Sequence, residues 1–131
     1  MKVTLINAVD ESLAALGQLP SERNCRLDVD ALVDTGAVSA VLPIEVVDRL
    51  GLAILGHRVA QFADGRKEPV NLVGPVIFEA LGRKTVEEPL VLGDQLLSGQ
   101  TVLEKTDLLA DCQRQRLVPN PARPDQPVLH V

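Results

Sequence analysis

The chain of 131 residues is long enough for one domain with a single hydrophobic core. Its composition, 46% hydrophobic and 24% charged, is typical of a folded globular protein and excludes a disordered one. The net charge of −5, without a basic run, argues against a nucleic-acid partner. No apolar run is long enough to predict a membrane span.

The first twenty residues predict a strand and a short helix. Val3 and Leu5 alternate with polar residues, which is the period of a strand. Ser12 is a candidate cap for a helix that Gly17 and Pro20 would end. We interpret this N-terminal segment as part of the folded domain and not as a signal peptide, since Asp10 interrupts the apolar residues early.

Residues 25–34 predict a second strand with one apolar and one acidic face. Asp28 and Asp30 lie on the acidic face, and two readings of them are open. They match the D-x-D pattern of phosphatases that form an aspartyl phosphate, but the strict alternation favours a solvated strand face. From Ala31 onward both faces are apolar, which predicts that the strand enters the interior.

The middle of the chain predicts a helix followed by two hairpins. Pro43 suits the first position of a helix and Gly51 the residue beyond its end. Residues 58–70 predict a hairpin in which Asp64-Gly65 is the turn. A second hairpin is expected with Gly82-Arg83 at its turn.

The C-terminal third predicts one more helix, a last strand pair and a tail. Thr101 and Glu104 have the spacing of a capping box, so a short helix is expected to start there. Residues 108–111 and 116–119 predict two short strands. Four prolines between Pro119 and Pro127 predict an extended tail over 119–131, which leaves 1–118 as the folded domain. The sum is a mostly β chain with two or three short helices, arranged as a small closed barrel or a sandwich.

The stretch ALVDTGAVSAVLP, residues 31–43, contains the candidate site. Asp34 follows apolar residues, so its charged form would be partly desolvated. Thr35 offers a hydroxyl donor, and Gly36 lets the backbone approach the carboxylate closely. Taken alone, Asp-Thr-Gly favours an ordinary turn with an Asx hydrogen bond.

The residues around Asp34 resemble those of the retropepsin-like aspartic proteases. Asp-Thr-Gly-Ala follows two apolar residues, Val-Leu-Pro begins seven residues beyond the acid, and a short helix and a hairpin follow in that family's order. The resemblance extends from about Cys25 to Pro121 and is closest to the small single-domain prokaryotic members. It implies an all-β closed barrel of the acid-protease type, with one lobe in each chain.

The resemblance also assigns roles to residues. It makes Asp34 the catalytic aspartate, Thr35 the residue that bonds across a dimer axis and Gly36 the backbone support of the carboxylate. The hairpin 58–70 becomes a flap over the substrate. Its tip, Ala63, Asp64 and Gly65, is then expected to bind substrate. Position gives four candidate subsite residues: Ala37, Leu42, Phe62 and Val73. No metal or cofactor is implied.

One position departs from the family pattern. Two apolar residues and a glycine are usual just before the last helix, whereas this chain has Leu97-Ser98-Gly99. A buried Ser98 hydroxyl without a partner would cost about 1–3 kcal/mol. The hairpin tip is also rich in charge and has few glycines. Both features favour an alternative in which the fold serves as a weakly active or inactive peptide-binding module.

A single Asp-Thr-Gly predicts that two copies of the chain build one site. The chemistry needs two carboxylates that share a proton, and the chain is too short for two such lobes. A twofold axis brings the same residue to itself. We therefore predict a homodimeric aspartic endopeptidase that acts on a peptide or protein substrate.

The remaining candidate ligands favour ordinary roles. Cys25 and Cys112 lie far apart without metal-type spacing, which predicts free thiols in a reducing cytoplasm. An intermolecular bridge through Cys112 is the less favoured alternative. His57 and His130 lack a second ligand at metal spacing, so both are expected at the surface.

Overall fold

The computed structural model describes residues 2–20, 25–34, 37–111, 113–114 and 116–129. Thr35 and Gly36 of the candidate site lie outside the described residues, and the same holds for Cys112 and His130. Predictions that concern those four residues therefore remain predictions.

The described residues contain three short helices and twelve strands, which confirms the predicted mostly β chain. The helices are α1 (Ala8–Ala15), α2 (Ile44–Leu50) and α3 (Gln100–Thr106). The strands are β1 (Lys2–Asn7), β2 (Arg26–Asp30), β3 (Leu32–Val33), β4 (Val41–Leu42), β5 (Ala53–Gln61), β6 (Lys67–Gly74), β7 (Val76–Ala80), β8 (Arg83–Glu87), β9 (Leu90–Val91), β10 (Leu97–Ser98), β11 (Leu108–Asp111) and β12 (Arg116–Pro119).

The strands form three open sheets, so the prediction of a closed barrel is wrong. One sheet has the order β2-β1-β7-β8, the second β3-β10-β4-β9-β6-β5, and the third pairs β11 with β12. Four strands of the six-stranded sheet, β3, β4, β9 and β10, contain only two residues each. Such short ladders supply few hydrogen bonds, and in the described residues β3 and β5 remain as edges at opposite ends of the sheet.

The hydrophobic core draws residues from all three sheets and is aliphatic except for Phe78. Phe78 is the largest fully buried side chain, and Leu5, Leu42, Leu50 and Val76 around it are at most 1% exposed. In the part of the chain that the structure describes, no helix combines the length and apolar character needed to cross a membrane.

Helix α1 begins earlier than its predicted cap at Ser12. The side chain of Asn7 caps it, because Asn7 Oδ1 accepts hydrogen bonds from the backbone amides of Val9 and Asp10. The amide group of Asn7 also donates to the carbonyl of Leu50, at the end of α2. One buried polar side chain thus starts the first helix and fixes it to the second.

The predicted helix at 43–51 and the two hairpins are present with shifted bounds. Pro43 is the residue before α2 and Gly51 ends it in the left-handed conformation, with φ of 63°. The first hairpin joins β5 to β6 around residues 62–66. The second turns at Leu81-Gly82, both with positive φ, and Arg83 is already the first residue of β8.

Candidate active site

Asp34 lies directly after β3, where the six-stranded sheet meets helix α3. Strand β3 pairs in parallel with β10, so that Val33 lies beside Ser98. The Asp34 amide donates to the carbonyl of Ser98 at 3.2 Å, and the Asp34 carbonyl accepts from the Ala37 amide at 3.2 Å. Asp34 is half-buried. Two backbone hydrogen bonds therefore fix Asp34 at the start of the segment that we call the Asp34 loop, of which the structure describes residues 34 and 37–39.

The far side of the Asp34 loop rests on the first turn of α3. The backbone amides of Gln100 and Thr101 donate to the carbonyls of Ala37 and Val38, at 2.7 and 3.1 Å. The first amides of a helix have no partner within it, and here the loop supplies the acceptors. The predicted capping box is therefore wrong: Gly99 precedes the helix, no side chain caps it, and Thr101 is its second residue.

Gly99 is required by the closeness of this contact. A Cβ atom at residue 99 would lie 2.5 Å from the Ser39 carbonyl oxygen and 2.8 Å from that of Val38. Real Cβ atoms do not approach backbone atoms so closely, and the neighbours here are main-chain atoms that have no rotamer to change. Any side chain at residue 99 would push the Asp34 loop away from α3.

Ser98 is buried behind the same loop and carries an unpaired hydroxyl. Its side chain is 0% exposed, and among the described residues Ser98 Oγ has no hydrogen-bond partner. The sequence predicted a cost if this happened, and a buried hydroxyl without a partner costs about 1–3 kcal/mol. The backbone of Ser98 meanwhile binds Asp34. The carbonyl of Ser98 therefore helps to position Asp34, whereas its unpaired hydroxyl destabilises the fold.

Two apolar side chains on either side of Asp34 face solvent. Leu32 is 55% exposed and Val38 is 72% exposed. The prediction that the strand becomes buried on both faces is wrong for Leu32, because β3 is an edge strand of its sheet. Ala31 is buried and Val33 is half-buried, as predicted. Exposed apolar side chains therefore lie on both sides of the candidate acid along the chain.

The tip of the β5–β6 hairpin is a closed turn. The amide of Phe62 donates to the Arg66 carbonyl at 2.8 Å, and that of Gly65 donates to the Phe62 carbonyl at 2.9 Å. Asp64 Oδ1 accepts from the Arg66 amide, and the Arg66 guanidinium lies 4.6 Å from the centre of the Phe62 ring. Gly65 has φ of 85°, which explains why the turn needs glycine there.

The structure separates the predicted substrate-binding residues into groups. Ala37 belongs to the Asp34 loop, whereas Phe62, Ala63, Asp64 and Gly65 lie in the hairpin tip. Strands β10, β4 and β9 lie between β3 and that hairpin in the sheet. Leu42 and Val73 are at most 1% exposed, so they belong to the core and the prediction of subsites there is wrong.

The other candidate residues have ordinary surroundings. Asp28 and Asp30 are exposed on β2, and Asp28 accepts a hydrogen bond from Thr4, which confirms a solvated strand face.

His57 is exposed and its Nδ1 lies 2.9 Å from Asn71 Oδ1. A hydrogen bond with the Asp10 carboxylate raises the pKa of the free Cys25 thiol, and burial of the thiol raises it further. Within the described ranges no three His, Cys, Asp or Glu side chains cluster as metal ligands.

A charged cluster at the other end of α3 was not foreseen from the sequence. Asp107 follows the helix, and its carboxylate accepts hydrogen bonds from the Arg123 guanidinium and from the Asn120 side chain. A groove of about 820 Å³ lies beside it, lined mainly by α3, β11 and the C-terminal residues, and Asp34 is not among its lining residues. Asp107 occupies a left-handed position at which a glycine or asparagine is usual, so the pattern gave no sign of a charge cluster.

Comparison with known proteins supports the resemblance at the level of the fold. No protein-family model and no curated protein matches the sequence. The retroviral protease-like domain of Ddi1 from Leishmania major is a similar solved structure, with a TM-score of 0.54 and 18% identity over 92% of this chain and 88% of that one. EIAV protease in complex with the inhibitor HBY-793 is also similar, with a TM-score of 0.48 and 21% identity over 78% of this chain and 82% of that one. The Ddi1 similarity shows that the fold is retropepsin-like.

Proposed function

We propose that the protein is a homodimeric aspartic endopeptidase in which each of two copies contributes Asp34 to one active site. Asp34 would be the catalytic acid, with Thr35 and Gly36 completing the Asp-Thr-Gly turn at the dimer axis. The observation that carries the proposal is the placement of Asp34. In a retropepsin-like fold it begins a loop held by the Ser98 carbonyl and by the first amides of α3.

The reaction follows from the behaviour of two close carboxyl groups. At about 3 Å apart they cannot both ionise, so one keeps a proton. The ionised group takes a proton from a water molecule, and the protonated group polarises the carbonyl of the scissile peptide bond. The water oxygen then bonds to the carbonyl carbon and gives a tetrahedral intermediate. This intermediate collapses as the C–N bond breaks and a carboxyl group gives its proton to the leaving nitrogen, without a covalent enzyme intermediate. Asp34 of one copy would be the ionised group and Asp34 of the other copy the protonated group.

The exposed apolar side chains beside Asp34 support the proposal of a second copy. Leu32 and Val38 flank the acid and are more than half exposed. Contact across a twofold axis would cover the same side chains on both copies and remove their apolar area from water. The axis would pass beside Asp34, which is the condition for bringing the two acids together.

The β5–β6 hairpin would act as a flap that covers an extended substrate. Its tip residues, Phe62 to Gly65, would contact substrate together with Ala37. Peptides that bind in an extended form pair through their backbone, while alternate side chains enter pockets. We propose the cytoplasm as the location, because the two widely separated cysteines are expected to be free thiols and the cytoplasm keeps thiols reduced.

A second candidate function is a peptide-binding module of the same fold with little or no turnover. The unpaired Ser98 hydroxyl behind the Asp34 loop favours it, since it weakens the packing that positions the acid. The hairpin tip adds to this, because its internal hydrogen bonds hold the turn in one conformation and limit its adjustment to a substrate.

A cleavage experiment separates the two functions. The protein and its Asp34→Asn variant are incubated with a peptide library from pH 3 to pH 8. Asp30→Asn is the control, because Asp30 is an exposed acid at the end of β2, the preceding strand in the chain. Cleavage that persists in the control and is lost in Asp34→Asn supports the endopeptidase. Peptide binding without cleavage at any pH supports the module, and cleavage by Asp34→Asn at the wild-type rate contradicts the proposal.

A further inference from the structure

Helix α3 connects two regions that the sequence keeps apart. Its first amides, on Gln100 and Thr101, hold the Asp34 loop. Its last residue, Thr106, is followed by Asp107, which has positive φ and is 7% exposed. The helix is only seven residues long and is buried along Val102, Leu103 and Thr106. A helix of two turns is stiff because its backbone hydrogen bonds span most of its length, so a displacement at one end reaches the other.

The C-terminal residues bind to the Asp107 end of this helix. We define residues 120–129 as the C-terminal strap, which contains turns and bends. The Asp107 carboxylate accepts two hydrogen bonds from the Arg123 guanidinium, one from Asn120 Nδ2 at 3.1 Å and one from the Val128 amide at 3.2 Å. The Arg123 hydrogen bond is the main reason that the pKa of Asp107 lies well below its usual range. A charge-assisted, two-pronged contact of this kind is among the stronger polar contacts in proteins.

A second cation joins the strap to the helix end. Arg83, on β8, is 6% exposed. Its Nη1 donates to the carbonyls of Thr106 and Asp107, at 3.2 and 2.7 Å, and its Nη2 donates to the carbonyl of Arg123 at 2.8 Å. The last carbonyls of a helix need such donors, because they have no partner within the helix. Arg83 therefore satisfies the end of α3 and the strap with one buried guanidinium.

We infer that the C-terminal strap, through Arg123 and Asp107, is a positioning element of the active site and acts on Asp34 through α3. The inference rests on the proposed function, since Asp34 is the acid that is positioned. The strap fixes the end of the helix, and the start of the helix fixes the carbonyls of Ala37 and Val38. Arg123 would then influence catalysis without touching the substrate.

The contrasting possibility is that the strap stabilises the whole fold and has no particular connection with the site. The two possibilities differ in which amides exchange faster when the contact between the strap and Asp107 is removed. Loss of general stability accelerates amide exchange throughout the sheets, whereas release of α3 accelerates it first in the amides that bind the Asp34 loop. Local exchange is therefore a readout that does not depend on peptide cleavage.

The experiment compares Arg123→Gln with wild type, with Arg123→Lys as the conservative variant. Arg116→Gln is the control, because Arg116 also faces an acid, Asp111, but at 4.0 Å and with more than half of its own side chain exposed. Amide hydrogen exchange is measured residue by residue, together with kcat and KM for a cleaved peptide. Asp107→Gly is a second variant that removes the carboxylate while suiting the left-handed backbone, which separates the loss of charge from strain.

We expect Arg123→Gln and Asp107→Gly to accelerate exchange at Gln100 and Thr101 by about tenfold, the order of one lost charge-assisted hydrogen bond. Amides of β1 and β7 should keep wild-type rates. Kcat should fall about tenfold or more with little change in KM, since small displacements of reacting groups have effects of this size. Arg123→Lys should recover part of both, and Arg116→Gln should change neither.

Two results would overturn the inference. One is wild-type exchange at Gln100 and Thr101 in both variants, and the other is an acceleration shared equally by β1 and β7. A wild-type protein that cleaves no peptide contradicts the proposed function instead. In that case the exchange rates still decide whether the strap holds the Asp34 loop.

Discussion

The backbone amide of Asp34 donates a hydrogen bond to the carbonyl of Ser98, two residues before helix α3 begins. This bond links the end of β3 to a strand that lies 64 positions further along the chain. Together with the contact between Gly99 and Ser39, it gives the Asp34 loop its position.

Ser98→Ala is expected to stabilise the protein. The substitution removes a buried hydroxyl that has no partner in the described part of the chain and leaves the backbone contact with Asp34 unchanged. The free energy of unfolding should rise by about 1 kcal/mol, the lower end of the cost of such a group. Urea denaturation at one fixed protein concentration measures it, because a dimer's stability depends on concentration.

Ser39→Ala is the matched control, since Ser39 is an exposed serine of the same loop. Its free energy of unfolding should stay within about 0.5 kcal/mol of wild type. A marked loss of stability in Ser98→Ala would mean that the hydroxyl has a partner in the working protein, and would remove the main support for the inactive module.

Gly99→Ala is expected to destabilise the protein and to abolish cleavage. The new methyl group would lie 2.5 Å from the Ser39 carbonyl oxygen, so the Asp34 loop must move. Overpacking of this kind costs about 1–3 kcal/mol. In Gly56→Ala, by contrast, the new Cβ meets only the Arg58 guanidinium at 3.5 Å, and it should remain stable and active. Equal thermal midpoints and equal activity for the two variants would refute the close contact.

Phe62→Ala should weaken the capture of peptide while leaving the chemistry intact. The Phe62 ring stacks with Arg66 at the hairpin tip and is half-buried in the single chain. We expect KM to rise about fivefold, the effect of roughly 1 kcal/mol of lost contact, with kcat nearly unchanged. Val86→Ala, an exposed apolar side chain on β8, serves as the control. A wild-type KM for Phe62→Ala would show that the tip does not meet the substrate.

The stability that Asp107 supplies should depend on pH with a definite sign. Hydrogen bonding to Arg123 lowers the pKa of Asp107 in the folded protein, whereas in the unfolded chain it is about 3.9. The contribution is therefore complete above about pH 5 and declines as the pH falls below about 4. The difference in unfolding free energy between wild type and Asp107→Asn should be constant from pH 7 to 5 and shrink in acid. A difference that grows in acid would contradict this assignment.

The sequence predicted most of the local structure near the site, because that structure is encoded by neighbouring residues. Alternation in 25–34, the Asp64-Gly65 turn and the Gly51 helix end are short-range signals, and each corresponds to an observed element. Helix caps were harder. Ser12 and Thr101 fit local capping rules, but Asn7 and the carbonyls of a distant loop supply the caps instead.

The errors concern contacts between residues that are far apart in the chain. Leu42 and Val73 were predicted as subsite residues from their position along the chain, but the packing of the sheets places them in the core. The prediction of a closed barrel was wrong for a similar reason. The period of the side chains predicts where strands form, but not which strands pair with each other. The link from Arg123 to Asp107 joins an irregular segment to a helix end, and no pattern in the sequence indicates such a pair.

Subunit mixing tests the requirement for two Asp34 side chains most directly. Wild-type protein is allowed to exchange subunits with increasing amounts of Asp34→Asn protein, and Asp30→Asn protein is the control. If each site needs an acid from both copies, an equal amount of Asp34→Asn leaves about a quarter of the dimers with both acids and halves the activity of the wild-type protein present. A large excess should then suppress cleavage almost entirely. Activity that is unchanged at every ratio would mean that a single copy is sufficient, and the account would be wrong.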